Sequence, residues 1–126
     1  MNLLDHLNIH IDAVDAHKTI ISVSVTDALK QPYGIVHGGI NAVLAETASS
    51  LAANAYAPAN LVAVGVNINT NHLRPVVTGQ LIATATPISL GRNLQTWQVE
   101  INQKPSNKLT STSTVTTMLQ AKPTNV

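Results

Sequence analysis

An α+β fold, with one long central helix partly wrapped by a twisted antiparallel sheet, is predicted by three features of the sequence. A β-branched hairpin opens the chain, a single Ala-rich helical run follows, and four long stretches of strand character joined by short polar turns complete it. The 126 residues suit one domain spanning 1–126, and a hydrophobic share of 44% suffices to fill its core.

In chain order, residues 1–6 form a short helical turn, and residues 8–14 a strand with Ile9 and Ile11 on one face. Asp15-Ala16-His17-Lys18 reads as a turn into residues 19–26, where Ile21, Val23 and Val25 alternate with Ser22 and Ser24. Residues 27–34, punctuated by Pro32 and Gly34, are a loop leading to His37. From Ile40 the run of Ala and Leu predicts helix, stopped by Pro58 and Asn60. Residues 61–74 show Val62, Val64, Val66, Ile68 and Thr70 at period two, opposite Gly65, Asn67, Asn69 and Asn71. Further strands are expected at 81–90, at 94–102 with Trp97, Val99 and Ile101 on one side, and at 109–120; residues 122–126 read as a frayed tail. A sheet of this kind leaves open edges, and a second subunit pairing along one of them would cover it.

The unusual residue of the helix is Glu46. Between Lys30 and Arg74 it is the only charged side chain, and Ala42, Val43, Ser49 and Ser50 stand three and four residues away, so no helical ion pair explains it. Such a carboxylate faces water, makes a subunit contact or sits in a site that uses it. Gly38 and Gly39 let the backbone approach a ligand just where the helix begins. Gly39 and Glu46 are seven residues apart, about two turns, and so share a face with Val43 and Ser50. The first helical turn has unpartnered N–H groups and about half a positive charge, which suits an oxyanion developing on a carbonyl. Carboxylate and free donors together form an acyl-transfer layout.

Composition narrows the partners. With seven Lys and Arg against six Asp and Glu, and no basic run, the chain lacks the electrostatic footprint of nucleic-acid binding. The absence of cysteine excludes disulfides, thiolate metal sites and Cys nucleophiles, and fits a reducing cytoplasm. No secretory signal is legible at the start, and Asn41, Glu46, Thr47 and Asn54 interrupt the most apolar stretch, so no membrane span is expected. His72 has no metal-like spacing to His37, and no metal is expected.

At His37-Gly38-Gly39 followed by Leu44-Ala45-Glu46-Thr47, the chain resembles the hotdog-fold acyl-CoA thioesterases. Within them it is most similar to the phenylacetate-pathway-like branch that holds the 4-hydroxybenzoyl-CoA and 1,4-dihydroxy-2-naphthoyl-CoA thioesterases. The ordered set also includes Gln31-Pro32-Tyr33-Gly34, Asn69-Thr70-Asn71-His72-Leu73-Arg74, Ser89-Leu90-Gly91-Arg92 and Gln95-Thr96-Trp97-Gln98. The resemblance implies a hotdog fold and hydrolysis of an acyl-CoA thioester, with an aromatic or medium-chain acyl group, to free acid and CoA. It makes Glu46 the catalytic carboxylate, as nucleophile or general base, and Gly38 the backbone donor to the thioester carbonyl. Gln31 and His37 fall near the reacting thioester, and Ser50 matches a hydroxyl that orients water. It also implies a site formed between two subunits of a homodimer, itself paired into a homotetramer, with Glu46 and Gly38 supplied by different chains.

Coenzyme A is part of the substrate, and no separate cofactor is expected. Its phosphates need cations or backbone donors, for which Arg74 and Arg92, with Gly91, are the candidates; both arginines also read as ordinary solvated cations. His37 has a second reading as the residue that orders its own turn, and Ser50 as a small residue that lets helices approach. Two other functions share these features: acyl-thioester dehydration or hydration, whose usual His-plus-acid pattern differs from this one, and a non-catalytic acyl-CoA binding module.

Overall fold

The computed structural model describes residues 1–123, so positions 124–126 of the expected tail lie outside the described residues. The elements are helix α1 (Leu3–Leu7), strands β1 (His10–Ala13) and β2 (Thr19–Ser24), a 3-10 turn at Asp27–Leu29, helix α2 (Gly38–Tyr56), and strands β3 (Leu61–His72), β4 (Gln80–Leu90), β5 (Leu94–Lys104) and β6 (Leu109–Ala121). All six strands form one antiparallel sheet in the order β1-β2-β4-β5-β6-β3. The four long strands are adjacent, but not in chain order: β3 crosses to the far edge and pairs with β6.

The core is the interface between α2 and the sheet, since the central strands β4 and β5 bury only alternate residues. Ile21 and Val23 of β2, Leu81, Ala83 and Ala85 of β4, Trp97, Val99 and Ile101 of β5, and Val115 of β6 are buried there. From α2 come Leu44, Ala45, Ala48, Ala52 and Ala53, all with 0% exposure. Alanine on this face lets the helix sit close to the strands, and α2 touches every strand from β2 to β6. Trp97 is the largest fully buried side chain, and its indole N–H donates to Thr117 Oγ1 at 2.9 Å. Thr117 in turn donates to Gln95 Oε1 at 2.9 Å, so this buried polar group is satisfied within the sheet.

Two sequence expectations change. Ile9 packs against the core but Ile11 is 51% exposed, because β1 is a short edge strand whose pairing with β2 is irregular between Ile11 and Ala13. In β3, the alternation is broken by a bulge: Gly65 pairs with Thr117, but Asn67 pairs with the adjacent Thr116. The residues of β3 on the side that meets the buried face of β6 are therefore Ala63 and Gly65 before the bulge and Ile68, Thr70 and His72 after it. Val62 and Val64 pair with Gln120 and Met118, on the other face. The one extra residue decides which side chains of β3 reach α2.

No helix among the described residues is long and apolar enough to cross a membrane.

Candidate active site

The start of α2 is built by His37. Its backbone is extended (φ −62°, ψ 134°), its N–H donates to Leu29 O at 2.8 Å, and its ring Nδ1 accepts from Gly39 N–H at 2.8 Å. A histidine thus caps this helix where Ser or Asp is commoner, which is why helix begins at Gly38, two residues before the Ile40 that propensity suggests. The N–H of Ile40 bonds His37 O at 2.9 Å. With Gly39 and Ile40 engaged, Gly38 keeps a backbone N–H that meets no protein acceptor among the described residues.

Gly38 borders a cavity of about 350 Å³ lined also by Gln31, Asn41, His72, Arg74 and the apolar Ile35, Val36, Leu73, Pro75 and Val76. His72 covers Gly38, where a β-carbon would lie 2.8 Å from its Nε2, and Asn41 Nδ2 is 3.0 Å from its Nδ1. With the amide as donor, Nδ1 accepts and Nε2 carries the hydrogen. Gln31 folds its Oε1 onto the Tyr33 N–H, while its own N–H bonds Ile35 O at 2.9 Å. Beyond Arg74, Pro75 and Val76, which both cavities share, lies a smaller one of about 230 Å³ that includes Lys108 and Thr110. Arg74 has no ion pair among the described residues, where the only salt bridge is Lys30–Asp27.

Glu46 lies elsewhere on the same chain. It is exposed, on the side of α2 that meets β3, eight residues from Gly38 and hence about 12 Å along the axis. Its carboxylate rests over Gly65 of β3, one of the sheet's two edge strands. Val43 and Ser50, one turn to either side, are half-buried on that face, with Gly39 exposed at its start. Ser50 uses its carbonyl to accept Asn54 Nδ2 at 2.9 Å.

Gly91 and Arg92 stand at the opposite end of α2. The Tyr56 hydroxyl donates to Leu90 O at 3.3 Å and Gly91 O at 3.2 Å, tying the β4–β5 turn to the helix end, and Arg92 lines a cavity there with Tyr56, Pro58, Leu61 and Leu119. A side chain on Gly91 would collide with Leu94 O, so the turn itself requires that glycine. One chain therefore brings Gln31, Gly38 and Arg74 together, with His37 behind them as the cap, and keeps Glu46, Val43 and Ser50 on a second face and Gly91 and Arg92 at a third location.

Sequence reasoning missed Asn41, Gly65 and His72. Each carried a signal: an amide in an apolar helical run, a glycine inside a strand pattern, and an imidazole at that strand's end.

Residues 33–110 match the thioesterase superfamily. The chain is 34% identical over 109 residues to the 1,4-dihydroxy-2-naphthoyl-CoA hydrolase of Listeria monocytogenes, covering 86% of this chain and 89% of that protein. To the proofreading thioesterase EntH of Klebsiella pneumoniae it is 32% identical over 99 residues, covering 79% of this chain and 72% of that one. A crystal structure of a thioesterase from Haemophilus influenzae is similar with a TM-score of 0.89 and 41% identity, over 94% of this chain and 82% of that one.

Proposed function

The chain belongs to the thioesterase superfamily and is a thioester hydrolase of hotdog fold; from that premise we propose that it cleaves an acyl-CoA whose acyl group is aromatic or of medium chain length. The single observation that carries the reading is the presence on one helix of a solitary carboxylate, Glu46, and of a start whose Gly38 N–H meets no acceptor among the described residues.

The thioester carbonyl oxygen accepts from Gly38 N–H, at the positive end of α2. As the tetrahedral centre forms, charge grows on that oxygen; a preorganised donor of this kind contributes about 3 kcal/mol in other acyl-transfer enzymes. Glu46 acts either as base, taking a proton from water whose oxygen bonds the carbonyl carbon, or as nucleophile, forming a mixed anhydride that water opens. In both routes the C–S bond breaks and the sulfur leaves as thiolate. A free thiol has a pKa of about 8.5, so this leaving group needs little help from an acid. Ser50, one turn beyond Glu46, is the hydroxyl in reach of the attacking water.

Within one chain Glu46 is too far along α2 from Gly38 to share a substrate with it. We therefore place the working site between two copies, with Glu46 from one facing the Gly38 end of the other. The exposed edge of β3, 12 residues long with Val66 55% exposed on it, supports this, because long free edges are usually covered. In that assembly the acyl carrier runs out past Arg74, and Arg92 reaches the site only from a neighbouring copy. A further pairing of dimers into a tetramer is part of the same proposal.

Thiol release from short, medium, branched and aromatic acyl-CoAs tests the reading. Preference for the aromatic or medium-chain members supports it, preference for the short or branched members contradicts the acyl class, and no release from any member of the panel would favour a binding module instead.

A further inference from the structure

Gly65 stands out because the backbone does not need it. Gly34 and Gly79 have φ of 89° and 88°, a region that favours glycine, and Gly91 makes room for a turn carbonyl. Gly65 has no positive φ and sits inside β3, where glycine weakens a strand. The three atoms nearest the space of its missing side chain all belong to Glu46: a β-carbon at Gly65 would collide with Oε2, and would lie 3.3 Å from Cδ and 3.7 Å from Cγ. The bulge begins at this same residue, so the strand bends beside the carboxylate.

We infer that Gly65 is a positioning residue for Glu46, its bare backbone forming the seat on which the carboxylate is held for attack. The inference rests on the catalytic role proposed for Glu46. The acid has no ion-pair partner and no hydrogen bond to a side chain among the described residues, so the shape of β3 is what fixes its direction. The group that a new methyl would meet is the free end of a flexible side chain, which swings aside at little cost to folding. Stability and chemistry therefore separate.

The test is Gly65→Ala alone and in the Glu46→Ala chain, with melting temperature, kcat and KM measured on one good acyl-CoA. Gly65→Ala is expected to melt near the wild type and keep its KM while kcat falls about 10²-fold, as misplacement of a reacting group by about 1 Å does. In the Glu46→Ala chain the same substitution is expected to leave the residual turnover unchanged. Wild-type kcat in Gly65→Ala beside an inactive Glu46→Ala overturns the inference and leaves the role of Glu46 intact. An equal fold-loss in both backgrounds also overturns it, since the glycine would then act without the acid. If Gly65→Ala alone does not fold, restoration of folding by Glu46→Ala supports the seat, and failure to restore it assigns the glycine to the backbone. Wild-type turnover in Glu46→Ala instead removes the catalytic role underneath.

Discussion

The imidazole of His72 is seated on Gly38, with no space between them for a methyl group: a β-carbon there would lie 2.8 Å from Nε2 and 2.9 Å from Cε1. The end of β3 and the start of the central helix thus share one contact, at the residue whose N–H is proposed to bind the thioester oxygen.

Gly38→Ala is expected to displace the ring or turn the N–H, with a loss in kcat/KM on the order of 10²-fold, the scale of losing one oxyanion donor. Unfolding should change little, because the gain from replacing a helical glycine, about 0.4–1 kcal/mol, offsets the loss of the Asn41–His72 bond. Steady-state kinetics beside thermal melting checks both halves.

The Asn41–His72 pair is expected to act as a unit. Asn41→Ala and His72→Ala should each cost about 1 kcal/mol, and the double variant less than their sum, as for groups in one hydrogen bond. Urea unfolding of the four proteins measures the coupling.

His37 serves the fold as a cap, and the resemblance also puts it near the reacting thioester. His37→Ala should lose about 1 kcal/mol, and His37→Asn most of that less, because asparagine also caps. If the ring contributes at the thioester, His37→Asn recovers stability without recovering kcat. Recovery of both would leave His37 with capping alone.

These effects could not all be read in advance, and β3 explains why. Its valines alternate as a plain strand does, and the Gly65–Asn67 bulge that reverses the phase is defined only by pairing with β6, about fifty residues later. The phases of β2 and β5 were legible because no bulge interrupts Ile21 to Val23 or Trp97 to Ile101. At the site, Gln31, Gly38 and Glu46 are local signals that survive in the sequence. His72 is not, since its meaning comes from a helix that begins 34 positions earlier.

Arg74 is expected to matter for the carrier rather than for the acyl group. Arg74→Ala should raise KM about 10-fold for an acyl-CoA, the scale of one charge-assisted contact at moderate salt, while leaving an acyl-N-acetylcysteamine thioester unaffected. Lys108→Ala should do the same more weakly if phosphates extend into the neighbouring cavity. Equal effects on both thioesters would place Arg74 at the reacting group.

The most direct test of the account is single-turnover hydrolysis by Glu46→Gln, which keeps the shape of the side chain and removes its charge. The account predicts that turnover falls by about 10³-fold or more while acyl-CoA still binds, because charge at that position does the chemistry. Hydrolysis at the wild-type rate by Glu46→Gln would contradict it.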